Sequence, residues 1–143
     1  MCLCFIDKEI DIRKCRRRGP YIVVWKIARE DKLITMTSIT KRWYAQFQSY
    51  AFRAGWQRIA TGCIRSPGIS ATYAAGYHAY VRYKDAVHSV SRGTGDVVLR
   101  CYVRPKDVVA TGSQHGLPVV VAKNIWAPKC PKKRGEPPSN SLR

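Results

Sequence analysis

Apolar and polar positions change rhythm several times along this chain, and each change marks an element. Residues 21–28, Tyr-Ile-Val-Val-Trp-Lys-Ile-Ala, are rich in β-branched and aromatic side chains and follow Gly19-Pro20 directly. Such a run behind a turn signal predicts a central strand, buried on both faces near Val23 and Val24. Farther on, Trp43, Ala45, Phe47 and Ser49 alternate with Tyr44, Gln46, Gln48 and Tyr50, the period of a strand with one apolar face. Gly55 predicts a turn. Residues 75–81 predict a short strand with Tyr77, Ala79 and Val81 on one face and His78, Tyr80 and Arg82 on the other. Residues 83–90 predict one short helical segment. In 97–105, Val98, Arg100 and Tyr102 face away from Val97, Leu99, Cys101 and Val103, and Pro105 closes the strand. Residues 106–116 form an extended piece ending in a glycine-rich turn, and 117–128 form the last strand.

Many strands with one or two short helices predict an α+β domain built mainly on an antiparallel sheet. The rhythm ends near residue 128. Lysine, arginine, proline and serine dominate 129–143, so a single compact domain over 1–128 and a flexible, disordered basic tail are expected. Lys129, Lys132, Lys133 and Arg134 cluster there as candidates for pairing with phosphates.

Composition changes the picture in one respect. The 143 residues hold 26 lysines and arginines against 9 acidic residues, a formal net charge of +17. A chain this basic is attracted to nucleic acid, an acidic protein or an anionic surface. No apolar run approaches the roughly 18 residues that span a bilayer, and the acidic residues of the first segment argue against a secretion signal. A cytoplasmic protein with no membrane partner is expected. Its six cysteines are then expected to be free thiols. They form no C-x-x-C pair, so no metal site is expected, and no cofactor is implied. The P-loop, the G-x-S-x-G elbow and the dinucleotide glycine fingerprint are all absent.

Two constellations carry candidate chemistry. The first is the interleaving of rings and cations, as in Lys41-Arg42-Trp43-Tyr44, Arg53 to Trp56, Arg82-Tyr83-Lys84 and Arg100 with Tyr102. Single-stranded nucleic acid is held by such mixtures, with cations on phosphates and rings under bases. Arg16, Arg17, Arg18, Lys41, Arg42, Arg82 and Lys84 are the expected sources of charge, and Tyr44, Tyr80 and Tyr102 the expected stacking rings. The second is Gly76-Tyr77-His78. A half-exposed histidine on the polar face of a strand is the expectation for His78. Gly76 allows close approach, which makes Gly76, His78 and Lys26 candidates for lining a ligand pocket. As a general base His78 needs an orienting partner, and Asp85 and Asp107 are the candidates.

The opening Met-Cys-Leu, the strand Ile-Val-Val-Trp-Lys-Ile, the element GYHAYVRYKDA and the later VVLRCYVRPKDVVATG and PVVVAKNIWA together resemble a group of small uncharacterised bacteriophage and prophage proteins. These begin Met-Cys-Leu and carry a Gly-aromatic-His-x-aromatic motif before an alanine-bearing helix. The resemblance implies a phage gene acting in the bacterial cytoplasm. A weaker similarity, to ADP-ribosyltransferase-like folds, rests on Trp25-Lys26 and Gly76-Tyr77-His78-Ala79-Tyr80. It implies binding of a dinucleotide, but Lys26 stands where those folds place Arg or His, and no glutamate occupies a catalytic place. The sequence thus points to a phage-encoded accessory protein that binds a polyanionic target, either nucleic acid or an acidic host nucleoprotein or defence component, without catalysis. A transferase-like enzyme and a virion component are the alternatives.

Overall fold

A computed structural model describes residues 5–6, 12–30, 43–45, 51–52, 55–58, 63–65, 72–74, 76–89 and 96–128. The chain folds mainly as an antiparallel sheet with one small helix. In chain order the strands are β1 (Phe5–Ile6), β2 (Arg17–Arg18), β3 (Tyr21–Glu30), β4 (Trp43–Ala45), β5 (Ala51–Phe52), β6 (Gly55–Arg58), β7 (Cys63–Arg65), β8 (Thr72–Ala74) and β9 (Tyr77–Tyr80). Helix α1 (Tyr83–His88) follows, then β10 (Asp96–Val103), β11 (Val108–Gln114), β12 (Leu117–Ala122) and β13 (Asn124–Ala127). Strands β7 and β8 form a separate hairpin.

The main sheet runs β1-β11-β12-β9-β3-β10-β13-β6, with β2 and β4 also on β3. Its spine is the β3–β10 ladder, in register from Asp96↔Arg29 to Val103↔Ile22. Burial of β3 on both faces agrees with its unbroken apolar run: Val23 and Val24 are both inaccessible. The β11–β12 hairpin turns on His115 and Gly116, at φ 51° and 77°. Two successive positive φ values describe the primed turn that matches strand twist, which is why glycine belongs there.

Residues 117–128 are two strands, not the single strand that the hydrophobic run predicts. Lys123 alone separates β12 from β13, yet β9, β3 and β10 lie between them in the sheet. In a flat sheet, four spacings of about 4.8 Å would set their axes about 19 Å apart. Two Cα steps span at most about 7.6 Å. The sheet therefore curls until these two flanks approach at Lys123. One face gathers Ile22, Val24 and Ala28 of β3, Tyr77 and Ala79 of β9, Leu99, Cys101 and Val103 of β10, Val120 and Ala122 of β12, and Ile125 and Ala127 of β13 into a single buried cluster. The opposite face is divided in two. One part lies around Ala86 of α1 with Ile27, Tyr73, Tyr80, Val119 and Val121. The other holds Tyr21, Val23 and Tyr102 with Trp25, Trp56 and Trp126 packed against them. One continuous cluster against two separate ones distinguishes the inside of the curl from its outside.

Apolar burial at about 25 cal/mol per Å² drives this closure. Local signals place its corners: Pro105 begins the 3-10 turn Pro105–Asp107 that ends β10, and the Lys123 N–H donates to the Asp107 carbonyl at 3.0 Å. The basic tail 129–143 and its lysine cluster lie outside the described residues.

Candidate functional site

On the outside of the curl, strand register builds a row of rings. Tyr102 pairs with Val23 on one side and with Trp126 on the other, and Trp126 pairs with Trp56. Directly paired residues project to the same face. The Tyr102 and Trp126 ring centroids are 5.3 Å apart, and Tyr21 lies 5.8 Å from Trp56 and 6.3 Å from Tyr102. These separations suit tilted aromatic pairs. One step along the ladder, Arg100 pairs with Trp25. Its guanidinium sits 5.9 Å from the Trp25 ring and 5.8 Å from the Tyr102 ring, within cation–π range of both. The Arg104 guanidinium stands 5.6 Å over Trp56. Beyond Trp25 comes Tyr83, the first residue of α1, at 4.7 Å and 55% exposed.

Charges on this face are not equally satisfied. Arg104 Nε donates to Asp107 Oδ2 at 2.6 Å, and Arg82 Nε donates to Asp85 Oδ2 at 2.7 Å. Among the described residues no acid pairs with Arg100, and its buried Nε has no hydrogen-bond partner. The same holds for the Tyr102 hydroxyl and Trp56 Nε1. The tryptophan and arginine nitrogens only donate, and a tyrosine hydroxyl donates or accepts. What the face lacks is therefore an acceptor.

Gly76, Lys26 and His78 do not converge on one face of the sheet. Alternation along β3 puts Lys26 inside the curl with Val24 and Ala28. The His78 ring points to the outer face, where Nε2 lies 2.8 Å from the Tyr73 hydroxyl. A bond from Lys26 Nζ to the His78 carbonyl, 2.9 Å, joins the two strands. Strands β9 and β3 share the single pair Trp25↔Tyr80, and beyond it the ammonium bridges the two strands. At Gly76 a Cβ would stand 2.7 Å from Val121 Cγ1 and 2.8 Å from the Ala122 carbonyl oxygen. The glycine admits the neighbouring strand, and no ligand is needed to explain it.

His78 is 5% exposed, so the expected half-exposed position is corrected. Residue 78 packs against Tyr73 of β8, and the face read as polar is a second buried layer. Burial first, and the Lys26 charge second, push its pKa down to about 3. The Gly76 backbone pulls weakly the other way. A histidine held neutral in this way is a poor general base. Its ring partner is Tyr73, while Asp85 and Asp107 are bound by Arg82 and Arg104. Burial also lowers Lys26 to about 8 against the opposing influence of Cys101, and raises the Cys101 thiol to about 12.

Of the expected charge donors, Arg16, Arg17, Arg18, Arg82 and Lys84 are exposed. Arg18 pairs with Tyr21 and so shares the aromatic face, whereas Arg17 pairs with Ile22 and takes the opposite one. The Arg16 carbonyl accepts the Val23 N–H at 2.8 Å. Lys41 and Arg42 lie outside the described residues, and Tyr44 stands in register with Arg29. Tyr80 and Tyr102, expected as stacking rings, are corrected. They are 7% and 0% exposed, because Tyr80 packs with Tyr73 and Ala86 of α1, and Tyr102 with Tyr21 and the tryptophans. Trp25, Trp56 and Trp126 are half-buried in their place. The alternation of 97–103 places Arg100 and Tyr102 together on one face. Nothing local shows that β13 and β6 bring Trp126 and Trp56 beside them.

Among the described residues no group of three or more His, Cys, Asp or Glu side chains is placed to hold a metal ion. Cys15 and Cys101 are free and buried. No described helix is long and apolar enough to cross a membrane. No protein-family model matches the chain, no curated protein matches it, and no solved structure matches its fold.

Proposed function

We propose that this chain is a non-catalytic binding protein for a polyanionic target, and that nucleic acid is that target. It acts as an accessory protein in the bacterial cytoplasm, as the likeness to phage proteins implies. The observation carrying this reading is Arg100, a half-buried guanidinium between two aromatic rings with no acid paired to it among the described residues, in a chain of net charge +17. Such a cation is completed by an anion from outside. The surrounding tryptophans favour nucleic acid over an acidic protein, because every base offers a flat face to them. Arg18 adds charge at the near edge of the same face.

The test is fluorescence anisotropy with a labelled oligonucleotide, half duplex and half single-stranded, titrated across a salt series. Polyglutamate of matched charge serves as competitor. Affinity falls steeply as salt rises, because phosphate contacts release counterions, and polyglutamate competes poorly. Absence of binding at low salt, or affinity indifferent to salt, overturns the reading. Equal competition by polyglutamate turns it toward an acidic protein.

A further inference from the structure

We propose that this face is specific for single strands: one nucleotide seats its phosphate on Arg100 and lays its base against Tyr83, beside Trp25. The proposal rests on the nucleic-acid reading and adds a strandedness that charge alone does not give.

Three observations carry it. First, the unpartnered groups are donors or able to donate. Arg100 Nε, Trp56 Nε1 and the Tyr102 hydroxyl are buried without acceptors. Phosphate oxygens and base carbonyls are acceptors, and a phosphate oxygen also supplies the negative charge that Arg100 lacks. Second, the anion seat and the open ring are neighbours. The Arg100 guanidinium is 5.9 Å from the Trp25 ring centroid, and Trp25 is 4.7 Å from Tyr83, as a phosphate and its own base are neighbours along a strand. Third, Tyr83 is 55% exposed at the start of α1. A duplex stacks its bases on one another and has no free base face to place there. Arg104, over Trp56, and Arg82, next to Tyr83 in the chain, make the contrast: each is already held by its own aspartate, and neither needs a phosphate.

The experiment compares a labelled oligothymidylate with a DNA hairpin duplex of equal phosphate number, at one salt concentration, on the full chain. The single strand binds about tenfold more tightly. Tyr83→Ala removes most of that preference, and Tyr83→Phe, which keeps the ring, retains it. Alanine is the better helix former, so α1 survives the substitution, and a thermal melt checks this. Arg100→Lys keeps the charge but loses the planar fork. It weakens single-strand binding about fivefold and duplex binding less. Equal affinity for the two forms, or a preference undiminished in Tyr83→Ala, overturns the proposal while leaving nucleic-acid binding intact. Binding of neither form overturns the underlying reading, and this proposal with it.

Discussion

The two faces of β10 differ in what they leave unfinished. Leu99, Cys101 and Val103 look inward, where apolar side chains from five strands close over them. The one lysine among them is bonded to a carbonyl. Arg100 and Tyr102 look outward from the same strand. There, rings gather but hydrogen-bonding groups go without partners. Of the five buried polar atoms lacking a partner among the described residues, three, on Trp56, Arg100 and Tyr102, lie in the ring row of this outer face, and His78 Nδ1 is a fourth on the same face. An orphaned buried donor costs about 1 to 3 kcal/mol. The fold thus completes one face and leaves donors idle on the other, the face on which the proposed recognition would fall.

The acid limb of stability tests the completed layers hardest. His78 titrates near 3 in the fold, against 6.5 unfolded. Between those values the unfolded chain binds a proton that the folded one refuses, so stability falls as pH falls. The loss is about 4 kcal/mol over the window. More than half of it comes above pH 4.5, before most carboxylates titrate. Urea denaturation from pH 7 to 4.5 measures it, and His78→Gln flattens the curve.

Leu99→Ala removes an inaccessible side chain from the interior and destabilises by about 3 kcal/mol. Oligonucleotide affinity, measured where the variant remains folded, is unchanged. A loss of affinity matching that of Arg100→Ala, one residue along, erases the division of labour between the faces.

A smaller effect comes from Lys26. Its pKa is about 8 in the fold and 10.5 unfolded, so the unfolded chain holds the extra proton and stability rises with pH from 8. The gain is about 1 kcal/mol between pH 8 and 9. Above pH 9 the Cys101 thiol, held protonated to about 12, works in the opposite direction. Lys26→Met abolishes the rise between pH 8 and 9.

The smallest expected change is the sharpest for the outer face. Tyr102 is wholly buried, yet its hydroxyl has no partner. Removing an orphaned hydroxyl costs nothing, so Tyr102→Phe leaves stability unchanged or raises it slightly, by up to about 1 kcal/mol. A loss above about 1 kcal/mol means the hydroxyl is engaged within the fold.

Several elements were legible because their signals are local. The apolar run at 21–28, the alternation at 97–103, the turn at His115-Gly116 and the short helix after residue 82 stand where the residues indicate. The break at Lys123 was not legible. The hydrophobic run continues through it, and only the positions of β9 and β10 require the chain to leave one flank of the sheet and join the other. His78 misled for a related reason. Alternation assigns a face, but whether that face is wet depends on what packs over it, and Tyr73 is supplied by another strand.

The candidate site divides along the same line. By itself the sequence determined that this is a strongly basic, strand-rich chain in which arginine and aromatic residues share strand faces, because periodicity and charge are properties of neighbours along the chain. Tertiary structure alone decided which of those residues meet. It took Tyr80 and Tyr102 out of solvent, enclosed Lys26, neutralised Arg82 and Arg104 on nearby aspartates, and left Arg100 among rings without an anion. Those outcomes depend on strand order and curl, which bring together side chains as far apart in the chain as Tyr21 and Tyr102 or Trp56 and Trp126, through contacts that no local pattern encodes.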